Sequence, residues 1–425
     1  MKTLLLRAAA LVSFAIAFIS GSAESFPPQL NGTMMPFDFS RCDTIVPWDS
    51  GMTPVFVNYM ARHGARFLSS EKKVDGLVKE LSEARKEGRL TPKGEDFLNL
   101  LCRVDSVTSG DWGALNAVGK YEERRLGKQM AAIVPDLLKK GRVEAVATYV
   151  PRVVMTMYEL CHQLVCHSSY LEISASEGRQ FNPMLRFFTT DTAYMAYLDH
   201  GDWRGTYDSF VETNISPSPA RALFSCKMDD GKLKKLTLDM YGVLQSLPAA
   251  QLPWHPEEWF SESEYRTCWE AANLKHYYQR SASEFSDLPA TSAHLLLDDI
   301  IATTDSAAAG ATGSQVGKLR FGHAETVMPL FALMRLPGCY YPEGDANEIS
   351  GHWKDWEVSP LGANLLIILL KDKSGEPYVA LRLNGRWLTI RYETATGVAS
   401  GKVVPWRQLR MQWTGYLTHN QDINR

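Results

Sequence analysis

The sequence predicts an α/β fold carrying a mostly helical insertion, and three observations predict it. Short runs rich in β-branched and aromatic residues alternate with amphipathic stretches of helical period as far as residue 173. From 174 to 305 the texture changes, with Trp203, Tyr207, Trp254, Trp259, Trp269, Tyr277 and Tyr278 in a segment that has few strand-like runs. Strand character then returns, so the chain re-enters the sheet it left. The expected organisation is a leader at 1–23, a core of 24–173 and 306–425, and an inserted helical domain at 174–305. A chain of 425 residues, 45% hydrophobic and 22% charged, can bury such a core and is unlike a disordered, collagenous or coiled-coil protein.

Taken in order, residues 55–60 form a buried strand behind Pro54 that runs into Arg62-His63-Gly64. Helical periodicity follows at 71–86 and 91–101, the second opened by Thr91 as N-cap with Pro92 behind it. Another amphipathic helix spans 115–133, a strand 143–149, and a helix 153–165. Within the insertion, helices are expected at 232–247, 264–280 and 294–304. The returning strands are 318–321, 364–370 and 378–383, the last two joined as a hairpin through Ser374-Gly375.

The leader is read from Lys2 and Arg7 ahead of an apolar run at 8–19 that ends in Ser20-Gly21-Ser22-Ala23, suited to cleavage after Ala23. That run is shorter than the roughly 20 apolar residues that span a bilayer. No later stretch reaches that length, so the expected product has no transmembrane segment and is exported to a periplasm, a vesicle or the cell exterior. Loss of Lys2 and Arg7 takes the formal charge from −3 to −5. This balance excludes a nucleic-acid binder with a broad basic face, and an anionic ligand must be held by a local cluster. Seven cysteines leave at least one unpaired in the monomer. His162 and Cys166 share a helix face, but two ligands on one helix do not close a metal site, and packed helix residues or a disulfide are expected there.

Two segments carry chemistry. Arg62-His63-Gly64-Ala65-Arg66 sets two guanidinium groups around one imidazole just past a strand, and such donors pair with phosphoryl oxygens. Phe321-Gly322-His323-Ala324-Glu325 again runs from a strand through Gly-His into a helix, with a carboxylate two residues beyond the histidine. His323 can donate to a phosphoryl oxygen, and Glu325 can give a proton to a leaving group. Read singly, each also fits an ordinary hydrogen-bonded histidine or a helix-start carboxylate.

Together they resemble the histidine acid phosphatases, whose signature is R-H-G-x-R-x-P, and the H-A-E form of the distal motif is similar to the multiple inositol-polyphosphate phosphatases. Leu115-Asn116, Gly119 and Leu126-Gly127 fall where the family has a helix reading L-T-x-x-G with L-G further on. Residues 148–156, with Arg152, match the segment bearing a third phosphate-binding arginine, and Leu185-Arg186-Phe187-Phe188 resembles a run of the inositol-polyphosphate branch. Leu68 stands where the motif has proline, which bears on loop geometry more than on chemistry.

The resemblance implies a mixed sheet with helices on both faces, a helical domain closing over the site, and no metal or cofactor. It implies His63 as a nucleophile that becomes phosphohistidine, Arg62, Arg66, Arg152 and His323 around the phosphoryl oxygens, and Glu325 as proton donor. Inositol hexakisphosphate and lower inositol polyphosphates are the implied substrates. Sugar phosphates or bisphosphoglycerate on the same scaffold are the alternative, and a non-catalytic inositol phosphate binder is a remote one. Lys72, Lys73, Arg186 and Arg320 are candidates for remote phosphates, the other reading for the lysines being a solvated helix face.

Overall fold

The computed structural model describes residues 26–69 and 71–423, and the expected leader at 1–23 lies outside the described residues. Its strands are β1 (Thr53–Arg62), β2 (Gly141–Ala147), β3 (Leu171–Glu177), β4 (Gln315–Gly322), β5 (Asn364–Lys371), β6 (Pro377–Leu383), β7 (Arg386–Trp387), β8 (Ile390–Thr394), β9 (Gly397–Gly401) and β10 (Val403–Pro405). The central sheet has the order β10-β6-β5-β1-β4-β2-β3, with β7 on β6, while β8 and β9 pair apart from it. β1, β4, β2 and β3 are mutually parallel, and β5, β6 and β10 continue the sheet antiparallel. The fold is therefore α/β with a mixed sheet.

The helices that bear on the sheet and the site are α1 (Glu71–Lys86), α2 (Pro92–Thr108), α3 (Ala117–Ile133), α4 (Pro151–His167), α5 (Asp230–Leu244), α6 (Glu262–Arg280), α7 (His294–Ala308), α8 (Ala324–Leu333) and α9 (Trp406–Ile423). They cover both faces of the sheet because β1 is apolar on both. Val57, Tyr59 and Ala61 pack in one cluster with side chains of α3 and α4, and Phe56 and Met60 in another with α7 and α8. A strand buried on both faces reads as one continuous apolar run, which is how 55–60 reads.

Most expected elements are present with longer ends. Thr91 caps α2 by accepting the Gly94 N–H at 3.1 Å, but the helix runs on to Thr108 because Leu101, Val104 and Thr108 continue its buried stripe. The hairpin of β5 and β6 closes from Lys371 to Pro377. β3 has no counterpart in the sequence reading, because only Leu171 at its start is buried and its side chains do not alternate cleanly. It carries the sheet through Glu177, past position 174 where the texture changes. Between Glu177 and Gln315 the described residues form helices and loops without a strand.

All seven cysteines are free thiols. Cys166 Sγ lies 3.9 Å from the His162 ring nitrogens, and no group of three or more metal-type side chains assembles among the described residues. No helix among the described residues is long and apolar enough to cross a membrane.

Candidate active site

β1 and β4, distant in sequence, end side by side. Arg62 is in register with Gly322, and the next residue on each strand is a histidine. The His63 and His323 rings meet edge to face, with centroids 5.8 Å apart. The crevice outside the carboxyl ends of parallel strands is where open α/β sheets place ligands. Both rings are buried, and the charges around them come from Arg62, Arg66 and Glu325 beside the two histidines and from Arg152 and Arg186 elsewhere in the chain.

The loop after β1 is fixed by close backbone packing on the start of α3. A Cβ on Gly64 would lie 2.9 Å from the Gly119 carbonyl oxygen, and one on Gly119 would lie 2.2 Å from that of Ala65, so only glycine fits at either place. Asn116 caps α3 by accepting the Gly119 N–H at 3.1 Å. Glu122 accepts the N–H groups of Ala65 at 2.7 Å and Phe37 at 2.8 Å, while burial pushes its carboxyl up to about 7. Leu68 buries its side chain in the core, and its carbonyl accepts the Gly113 N–H at 2.7 Å. Together with the Phe67 N–H bonded to the Ala114 carbonyl, this pairing sets the loop path without the motif proline.

His63 Nδ1 lies 2.9 Å from the Gly64 carbonyl oxygen. A carbonyl only accepts, so Nδ1 carries the proton and Nε2 keeps a lone pair. Burial, then Arg62, Arg152, Arg66 and His323, hold this imidazole well below its ordinary pKa. So lowered, the imidazole is neutral across the physiological range. Arg62 donates through Nη1 to the carbonyls of Thr33 and Ser359, both at 2.7 Å, and Arg66 to that of Phe67 at 2.9 Å. Arg66 also meets Met34 Sδ at 3.8 Å, and among the described residues neither guanidinium forms a salt bridge with a carboxylate.

His323 sits among donors. Arg186 Nη1 is 3.2 Å and Thr148 Oγ1 3.3 Å from its Nε2, and Arg152 Nη2 is 3.5 Å from its Nδ1. Burial lowers its pKa to about 3, with Arg152, Arg186 and Arg62 adding to the effect against Glu325. Phe188 meets the ring edge to face at 5.8 Å, and Arg186 lies over the rings of Tyr149 and Phe188 at 5.2 and 5.1 Å. Thr326 fixes the start of α8 by accepting the His323 N–H at 3.1 Å and donating to the Leu185 carbonyl at 2.7 Å. Glu325, in the first turn of α8, accepts from Arg280 Nη2 at 2.8 Å.

The structure thus brings together His63, His323, Glu325, Arg62, Arg66, Arg152 and Arg186. Arg320 is a correction. It is fully buried and points to the opposite side of β4 from Leu319 and Phe321, where its guanidinium is taken up by Asp299 and, at 2.8 Å, Asn58 Oδ1. No substrate phosphate can reach it. Lys72 and Lys73 line a separate groove between α1 and α5 with Lys232 and Lys235, and Lys73 Nζ is 2.7 Å from Asp239. Asn31 is 1% exposed and accepts from the Tyr265 hydroxyl at 2.8 Å. Arg280 and Thr148 are the site residues that sequence reasoning missed. Arg280 ends a helix whose last turn invites a cation for dipole reasons alone, which conceals any other role.

No family model and no curated protein sequence matches the chain. Solved structures do. The chain is similar to the multiple inositol polyphosphate phosphatase of Bifidobacterium longum in complex with inositol hexasulfate, at 15% identity and TM-score 0.71, covering 85% of this chain and 92% of that one. The same protein in complex with phosphate matches at 14% identity and TM-score 0.71, with the same coverage of 85% and 92%. The phytase from D. castellii matches at 13% identity and TM-score 0.64, covering 92% of this chain and 85% of that one. At such identities it is the architecture that is shared, and the chain has the histidine phosphatase fold of the phytases and of the inositol polyphosphate phosphatase.

Proposed function

We propose that the chain is an exported phosphomonoesterase that hydrolyses inositol hexakisphosphate and lower inositol polyphosphates through a covalent phosphohistidine. The observation that carries this reading is a set of orphaned donors. The Nε groups of Arg62, Arg66, Arg152 and Arg186 are all buried without an acceptor in the protein. A buried charged donor left unpaired is costly, and phosphoryl oxygens supply acceptors in the geometry a guanidinium prefers. Solved structures of the inositol polyphosphate phosphatase fold with inositol hexasulfate and with phosphate support a polyanion of that kind.

In the first step the Nε2 lone pair of His63 attacks phosphorus in line. The P–N bond forms as the bond to the inositol oxygen breaks, and that oxygen takes a proton from Glu325. The arginines and His323 hold the equatorial oxygens and stabilise the charge of the transition state. In the second step water attacks phosphorus, gives its proton to the Glu325 carboxylate, and the P–N pair returns to Nε2 with release of inorganic phosphate.

The test is incubation with inositol hexakisphosphate, with chromatography of the products over time beside sugar phosphates and bisphosphoglycerate. Successive loss of phosphate from the inositol ring, faster than from the small esters, is expected. Faster turnover of a small ester would reassign the substrate, and binding without any release would make the protein a carrier.

A further inference from the structure

The acid that must protonate the inositol oxygen is ionised in the free protein. Glu325 Oε1 accepts a hydrogen bond from Arg280 Nη2 at 2.8 Å, and Arg280 is only 15% exposed. Burial alone would raise this carboxyl, but Arg280 foremost, then His323 and Arg62, holds it far below the usual carboxylate range. Arg66 and Arg152 add positive charge from the loop after β1 and from α4. A carboxylate so held cannot donate a proton until part of this charge is drawn elsewhere.

Of these cations Arg280 is the one placed to move. It is the last residue of α6, it comes from the insertion while the others come from the core, and its contact with Glu325 is a single hydrogen bond between side chains. Arg62 is instead tied to two carbonyls, and His323 to the start of α8. The groups facing Arg280 are Lys275 and His276 from its own helix, Tyr194 from the insertion and Arg62 from the end of β1. His276 is itself committed to Asp355, with Nδ1 2.8 Å from Oδ2. Among the described residues the salt bridge of Arg280 is with Glu325, and a phosphate dianion can offer a guanidinium two acceptors where the carboxylate now uses one.

Building on the phosphomonoesterase reading, we propose that Arg280 is a substrate-operated clamp on Glu325. A phosphate next to the scissile one draws the guanidinium away, and Glu325 then takes up the proton it donates to the leaving oxygen. Polyphosphorylated substrates switch on the general acid, whereas an alkyl monophosphate leaves it ionised. Arg280 is in this sense a positioning residue that selects substrates by a second phosphate.

The experiment uses the full chain and its Arg280→Gln and Arg280→Lys variants, with glycerol 2-phosphate and inositol hexakisphosphate as substrates across a pH series. For glycerol 2-phosphate, the pH at which kcat falls as Glu325 ionises in the substrate complex should move up by about 1–3 units in the Gln variant. The Lys variant should stay near the parent. For inositol hexakisphosphate the Gln variant should raise KM without moving that limb, because in the parent the substrate has already released the clamp. An unmoved limb with glycerol 2-phosphate, or equal losses on both substrates, would overturn the proposal. If the parent releases nothing from nitrophenyl phosphate or any other ester, the phosphatase reading itself falls, and the clamp with it.

Discussion

The backbone N–H of His63 donates to the Gly322 carbonyl at 3.1 Å, and the Gly362 N–H donates to the carbonyl of His63 at the same distance of 3.1 Å. The main chain of His63 is thus held by the end of β4 and the segment that precedes β5, so its position is set by the sheet more than by its own loop. A site carried on regular elements keeps a narrower geometry than one on loops.

His63→Ala should consequently leave the fold in place and remove turnover of every phosphate ester, by at least about 10⁴-fold. Acid-quenched mixing with labelled substrate should trap phosphoenzyme in the parent and none in the variant. Appreciable turnover by the variant would assign the nucleophile to another residue.

Arg186 stands between Tyr149 and Phe188 with a nitrogen 3.2 Å from His323. Arg186→Met keeps the apolar stem on the rings and removes only the charge. A hydrogen bond to a charged group is worth about 1.5–3 kcal/mol, so kcat/KM should fall about 10- to 100-fold. Because Arg186 is one of the charges that hold the His323 imidazole down, its pKa should rise in the variant, as read by NMR titration. A fall in kcat/KM with an unmoved His323 would mean that Arg186 acts on substrate from elsewhere.

The two halves of the site were legible because each follows a strand-like run, Arg62-His63-Gly64 after β1 and Gly322-His323 at the end of β4, whereas the pairing of the two strands had no local signal. Arg320 shows what was legible and not used. Leu319 and Phe321 alternate with Lys318 and Arg320, so strand periodicity already sends Arg320 to the face opposite the apolar pair. Arg280 was beyond reach, since its contact with Glu325 depends on how α6 packs against α8, which no local pattern encodes. β3 and the β8–β9 pair escaped for the opposite reason. They bury too little to leave a hydrophobic period.

If Arg320 is structural, its partner should matter to stability and not to substrate. Asp299 holds Arg320 and also accepts from Lys318 Nζ at 2.9 Å. Asp299→Ala leaves a fully buried guanidinium uncompensated and should cost about 3–5 kcal/mol in denaturant unfolding. Adding Arg320→Met should recover part of that loss, with KM for inositol hexakisphosphate unchanged throughout. A KM effect larger than the stability effect would return Arg320 to the binding site.

Glu123 sits one residue beyond Glu122 on α3, fully buried, and neither of its oxygens has a partner. Burial first, then Glu122 and Glu159, raises its pKa well above the ordinary value of 4.5. The folded protein therefore keeps a proton that the unfolded chain releases above pH 4.5, so this group lowers stability as pH rises from there, by up to about 1.4 kcal/mol per unit until the folded group ionises. Glu123→Met, near in shape and without ionisation, should match the parent below pH 4 and exceed it increasingly above pH 5. Denaturant midpoints at several pH values check this, and a parallel pair of curves would place a hydrogen-bond partner on Glu123 in solution.

The last prediction separates the two tasks given to Glu325 by changing the leaving group. An inositol alkoxide needs a proton as its bond to phosphorus breaks, whereas a nitrophenolate departs almost unaided. A positioned general acid contributes roughly 10²- to 10⁴-fold, so Glu325→Gln should lose about that much on inositol phosphates. The amide can still accept from Arg280 at the distance of 2.8 Å that the carboxylate holds, so the site should not rearrange. On nitrophenyl phosphate the steady-state rate also depends on water attack, which the same residue assists, so the informative quantity is the burst of nitrophenol in rapid mixing. A burst of near-parental rate followed by slow turnover, with inositol phosphate hydrolysis lost, is the expected pattern. Equal loss in the burst and on inositol phosphates would leave Glu325 a binding or orienting residue and require the proton to come from another group.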